Sequence, residues 1–293
     1  MLWSCDDAQE YPVSKASLEV DSVVLEQQND FSEYWYAGKA EVCSYELKQS
    51  RYGELHDGDA VLIFVTEPFS LSKQVKLDYP DRAGDDKVSV MKLNYVKKFN
   101  TGIYDYSTMT SLFTPVDLQT YPYTLKSTTT SQEWCGHTFT QFNLDKNNYR
   151  FQQFSYFEAE GDETKKVDAA IFEEELMTRI RLNNGELAEG EVDLLPATVH
   201  ARFSHQDIRP TKARISKQSS ENKTIYTIEY FHQNRTFTIE VQSDFPYKIL
   251  AWSEDNGDGL VTTAKLKKDL HVPYWSKHDK ADEGLRAVLE LVK

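Results

Sequence analysis

The sequence predicts a mainly β protein: a large curved antiparallel sheet, half-barrel or sandwich-like, with one interposed amphipathic helix near 167–182. Three observations carry this reading. Segments of alternating apolar and polar residues recur along the chain between short turn signals. Aromatic residues reach 13%, with 17 Tyr and 15 Phe, and these side chains favour strands. Only one long stretch, VDAAIFEEELMTRIRL, places its apolar residues at helical spacing.

The elements follow in order. Residues 1–30 read as a polar tether with a short helical piece around Ser17–Gln28, and 31–293 as one β-rich domain with a subdivision point near 160–190. Lys39–Tyr52 alternates and is expected to turn back through Gly53–Gly58. Ala60–Thr66 (AVLIFVT) is the most apolar run and reads as a central strand buried on both faces. Lys73–Tyr79 is a further strand candidate before the polar turn Pro80–Asp86. Lys87–Phe99 and Gly102–Thr114 form a hairpin around Asn100-Thr101-Gly102. Tyr123–Leu144 and Tyr149–Glu158 form another, closed by Asp145–Asn148. The helix over Val167–Leu182 has Glu173, Glu174 and Glu175 near its start and Arg179 and Arg181 near its end, matching the helix dipole. Asn183-Asn184-Gly185 caps it. Strands resume at Glu191–Leu195, His200–Phe203, Lys212–Gln218, Thr224–His232, Arg235–Gln242, Tyr247–Glu254 and Leu260–Leu270, and a short helix is expected within Asp282–Val292. A sheet of roughly a dozen strands must curl, close or fold on itself. It either bends around the helix or forms a sandwich with the helix at its side.

The 33 Lys+Arg against 47 Asp+Glu give a net charge of −14. A field of that sign repels phosphate backbones and argues against a nucleic-acid partner. No apolar run approaches the ~18 residues of a membrane span. Three cysteines without a CxxC suit neither a disulfide framework nor a thiolate zinc site. No histidine spacing suggests a metal, Asp255–Gly259 departs from the calcium-loop order, and no cofactor motif occurs.

Leu2-Trp3-Ser4-Cys5 resembles a bacterial lipobox, in which a small residue precedes a lipidated cysteine. It makes Cys5 the candidate lipidation site and the envelope the expected location. Contact with the membrane is then expected only through that N-terminal anchor.

Candidate chemistry is sparse. If one strand runs through Trp134, Cys135 and His137 point to the same face one pleat apart. They are then either a thiol with its base or part of a sheet wall. An activated cysteine usually sits at a helix N-terminus or beside cations, and here a strand follows. Phe139, Phe142, Phe151, Phe154, Phe172 and Met177 form a candidate wall for a lipid or other apolar ligand, held between strand faces and the helix. Three functions stay open: a binding protein, a structural or assembly protein with an envelope partner, and, third, a hydrolase using Cys135 and His137.

Six segments, taken together, resemble a known family. They are Tyr34–Glu41, Arg51–Glu54, Ile63–Glu67, Phe99–Tyr104, Gln132–His137 and Phe245–Ile249. The family comprises bacterial secreted proteins whose members often carry the label "septum formation inhibitor Maf". The resemblance covers about residues 31–275. True Maf proteins are α/β nucleotide pyrophosphatases with a basic Ser-x-Arg-Arg type motif near the N-terminus, which has no counterpart here. The resemblance therefore implies a cell-envelope location and assigns no catalytic residue.

Overall fold

The alternating segments resolve into two runs of sequentially paired strands, joined side by side in one sheet. The computed structural model describes residues 30–291, so Cys5 and the tether lie outside the described residues. After a helical turn, α1 (residues 30–35), come β1 (Ala40–Arg51), β2 (Glu54–Ser70), β3 (Lys87–Thr101), β4 (Tyr104–Pro115), β5 (Lys126–Glu133), β6 (Gly136–Asp145), β7 (Asn148–Ser155), β8 (Glu163–Asp168) and the two-residue β9 (Ile171–Phe172). Helix α2 (Glu175–Leu182), β10 (Gly190–Leu195) and helix α3 (Thr198–Ser204) follow. The chain finishes with β11 (Thr211–Ser219), β12 (Lys223–Tyr230), β13 (Thr236–Gln242), β14 (Ile249–Asp255), β15 (Val261–Val272) and α4 (Gly284–Val288).

Among the described residues, all fifteen strands belong to one sheet in the order β8-β7-β6-β5-β4-β3-β2-β1-β15-β14-β13-β12-β11-β10-β9. Every pairing is antiparallel except β9 with β10. The segments on both sides of 160–190 join this same sheet, and the first and last strands pair at its centre.

The sheet curls around α2. Leu176, Met177 and Ile180 are buried in a core that also takes Tyr45 from β1, Phe64 from β2, Phe142 from β6, Tyr226 from β12 and Trp252 from β14. A second, smaller core lies on the outer face. Ala40, Val42 and Val65 are covered there by Leu289 and Leu291, with Val61 and Ile63 packed alongside. Ala60–Thr66, expected to be buried on both faces, has Ala60, Leu62 and Phe64 fully buried on the side of α2, while on the other side only Val65 is buried and Val61 and Ile63 are half-buried beside the C-terminal segment.

Four expectations are corrected. The helix is half as long as its pattern: Val167 belongs to β8, Ile171 and Phe172 form β9, and helical structure begins at Glu175. His200–Phe203 is helical, within α3, not a strand. Lys73–Tyr79 is a loop touching the sheet through one bridge, Phe69 to Lys76. Tyr123–Leu144 is two strands, folded at Trp134-Cys135. The cap after α2 is as expected, with Gly185 N–H donating to the Ile180 carbonyl at φ +83°.

Candidate functional site

Helix α2 links two buried charge clusters. At one end Glu173 accepts from Arg235 through both guanidinium arms and from the Tyr230 hydroxyl. At the other, Arg181 donates to Glu41 and to the Pro246 carbonyl. Glu41 also accepts from Tyr34 at 2.8 Å, and Arg181 lies 4.9 Å from the Phe64 ring. Glu175 accepts the Phe172 N–H at 3.1 Å and Arg179 Nε at 2.8 Å. Glu173, Glu174 and Glu175 are therefore all buried, not a solvated helix start.

The Arg235 end opens into a cleft. The turns β1–β2, β3–β4, β5–β6, β12–β13 and β14–β15 all lie at this end of the sheet, as the registers require, and it is called the mouth below. Helix α3 lies across the mouth and has a basin on each side. The larger basin, about 450 Å³, is lined by Gln49, Arg51, Lys97, His200, Arg235 and Glu254 among others. The smaller, about 350 Å³, includes Phe151, Glu160, Lys165, Arg202 and His205.

The floor of the larger basin is charged but balanced. Lys97 Nζ donates to Glu254 at 2.6 Å, and Arg235 sits 3.8 Å from Glu254 while pairing with Glu173. Two cations thus face two carboxylates. Burial pushes Glu254 up, but Lys97 and Arg235 outweigh it and hold the carboxyl below the usual range. Burial, with Arg235 nearby, pushes His200 down to about 4, so the imidazole is neutral near pH 7. Burial and the neighbouring Glu173 push Glu174 up to about 8. One Glu174 oxygen accepts the Thr198 N–H at 2.9 Å, at the start of α3.

Four buried polar atoms on the basin wall have no hydrogen-bond partner among the described residues: Gln49 Oε1, Arg51 Nε, His200 Nε2 and Gln233 Oε1. Such atoms cost about 1–3 kcal/mol each when nothing satisfies them. They point to a surface that hydrogen-bonds something within the cleft.

The residues singled out from sequence divide between two faces. Phe142, Phe151 and Phe172 pack against one another inside, with ring centroids of 4.8 Å for Phe142–Phe151 and 5.1 Å for Phe142–Phe172. Met177 is fully buried beside them. Phe139 and Phe154 are cross-strand partners on the outer face, Phe154 being exposed. Phe151 alone of the six lines either mouth basin.

Cys135 sits in the turn between β5 and β6, so it and His137 are not successive same-face residues of one strand, and both are exposed. Glu133 beside the thiol pushes its pKa up, opposite to what an activated nucleophile needs. We expect Cys135 to be alkylated with a half-rate pH above that of free cysteine, about 8.5. Cys135→Ser should leave the thermal midpoint unchanged. A half-rate pH below 7 in a pH–rate titration would refute this. The buried Cys43 should remain unmodified while the chain is folded.

Sequence reasoning missed Lys97, His200, Arg235 and Glu254 as members of one site. They come from β3, α3, the β12–β13 turn and β14. The one signal was charge at inward-facing positions: Lys97 follows Leu93 and Tyr95 on the same face of β3.

No protein-family model matches the chain, and no curated protein matches it. Among solved structures, a similar one is the beta-barrel-like protein of a domain of unknown function, DUF1849, from Brucella abortus. It has 11% identity and a TM-score of 0.48, over 80% of this chain and 98% of that one.

Proposed function

We propose that this is a binding protein of the bacterial cell envelope that holds a small, polar, uncharged ligand in the larger mouth basin. The observation that carries the ligand class is the pair Gln49 and His200. Both side chains are at least nine-tenths buried, both line the basin and both carry an unpartnered polar atom. The balanced floor gives no net field for a charged ligand, so hydrogen bonding sets the preference. Hydroxyl and amide groups match a wall that offers both donors and acceptors. The interior aromatics expected to hold an acyl chain instead pack on one another, which favours a polar ligand over an apolar one. The envelope location rests on the Leu2–Cys5 pattern and the sequence resemblance.

The test is a thermal-shift and calorimetric screen of the full chain against saccharides, polyols and neutral amides. Saturable stabilisation is expected, about 2.7 kcal/mol at a hundredfold excess over Kd. Gln49→Ala and His200→Ala should each weaken binding about 5- to 100-fold, corresponding to about 1–3 kcal/mol. A screen in which only acyl lipids bind, with both variants unaffected, overturns the proposal.

A further inference from the structure

Hairpin tips in water normally carry Gly, Asn, Asp or Ser, which favour tight turns and hydrate well. Four successive turns at the mouth end add a large apolar or aromatic residue, three of them beside an ordinary turn glycine, Gly53, Gly102 or Gly161. Tyr52 in the β1–β2 turn is 61% exposed and Ile103 in the β3–β4 turn 83%. Trp134 in the β5–β6 turn is 67% exposed, and Tyr156, just past β7, 73%. Tyr52 holds its place at φ +55°, a region disfavoured for bulky side chains. At the opposite end the short β6–β7 and β11–β12 turns are polar, Lys146-Asn147 and Ser220-Glu221-Asn222, and the exposed Tyr36, Val75 and Tyr79 lie in longer connections rather than at successive hairpin tips.

Strands β1 to β8 are sheet neighbours in sequence order, so these four tips stand side by side. With strands about 4.8 Å apart, successive tips are about 10 Å apart and the row is about 30 Å long. Polar residues interrupt it, among them Glu54, Asp105 and Glu133 beside the turns. A protein interface centres on a continuous apolar core; separate prongs with polar gaps suit a fluid headgroup layer. Trp and Tyr also prefer that layer, where one end of the ring is apolar and the other wet.

We infer that the mouth end seats on a lipid bilayer, with Tyr52, Ile103, Trp134 and Tyr156 entering the headgroup region. This is a second membrane contact beside the expected N-terminal anchor. The net charge of −14 makes the preferred surface zwitterionic, since anionic lipid repels the chain.

The test is co-sedimentation of the full chain carrying Cys5→Ser, so that no N-terminal acyl chain contributes, with phosphatidylcholine vesicles. Measurable partition is expected, with fluorescence quenched by brominated lipid and binding weakened by added phosphatidylglycerol. Ile103→Ser and Trp134→Ser should each lower the partition coefficient about three- to tenfold, the loss of a partly buried apolar side chain. Both positions are exposed, so the thermal midpoint should not move. Absence of partition, or equal partition by the double variant, overturns the inference. So does protection of the tips by a protein partner without any vesicle binding.

Discussion

Arg181→Ala should destabilise the protein by about 3–5 kcal/mol, because it strands the Glu41 carboxylate in the interior. Both side chains of the pair are completely buried. Glu41 would keep the Tyr34 hydroxyl and the weaker Cys43 thiol contact at 3.5 Å, neither of which carries a compensating charge. The loss also removes a guanidinium packed against Phe64 and Trp35. For a chain of this size 1 kcal/mol moves the midpoint by about 2–4 °C, so a fall of about 10 °C is expected. Removing both charges is different in kind. Arg181→Met with Glu41→Gln should recover most of the loss, because no unpaired charge remains to be buried. Calorimetric melting of both variants beside the parent checks this, and a single variant as stable as the double would refute it.

The second large effect concerns pH and Glu174. Its folded pKa of about 8 lies far above the unfolded value of about 4.3. Between those values the folded chain holds a proton that the unfolded chain releases. Stability therefore falls as pH rises through this window and levels off above about 8. His200 acts oppositely. Its folded value of about 4 lies below the unfolded value of about 6.5, so its contribution is complete above 6.5 and is lost as pH falls towards 4. The two slopes offset each other between about pH 4.5 and 6.5, and from 6.5 to 8 only the Glu174 decline remains. That decline is about 2 kcal/mol over 1.5 pH units for one proton. Glu174→Gln should flatten it while keeping an oxygen for the Thr198 N–H. Urea titrations of both proteins at pH 6.5 and 8 supply the measurement. A variant with the same slope as the parent would show that another group binds the proton.

Much of the sheet was legible because half-buried strands write their alternation directly into the chain. The hairpins at Asp145–Asn148 and near Gly102 carry ordinary turn residues. The Trp134-Cys135 turn was missed because neither residue is a turn former; Gly136, the next residue, has the Tyr156 ring where a Cβ would lie. The helix was overextended because Val167, Ala170 and Ile171 continue a helical spacing by coincidence, across the end of one strand and the start of another. Glu173–Glu175 looked like a dipole-matched surface turn. Only Glu175 has its partner within the helix, Arg179; Glu173 and Glu174 bond to Arg235 and Thr198, 62 and 24 residues away, and no local pattern reveals such pairing. The same distance hides the basin, whose walls meet only when the sheet curls.

The sheet order also constrains how the chain can be assembled. Its two outermost strands, β8 and β9, are adjacent in sequence, while β1 and β15 meet in the middle. During synthesis the first eight strands can pair with one another as they emerge, but one side of β1 has no neighbour until β15 is made. Through that interval β1 presents an open row of backbone donors and acceptors, a template for pairing with other chains. The final thirty or so residues then both occupy that edge and lay the C-terminal segment over the outer apolar face of β1 and β2. Truncation at the C-terminus would therefore create an aggregation-prone protein rather than merely a shorter one.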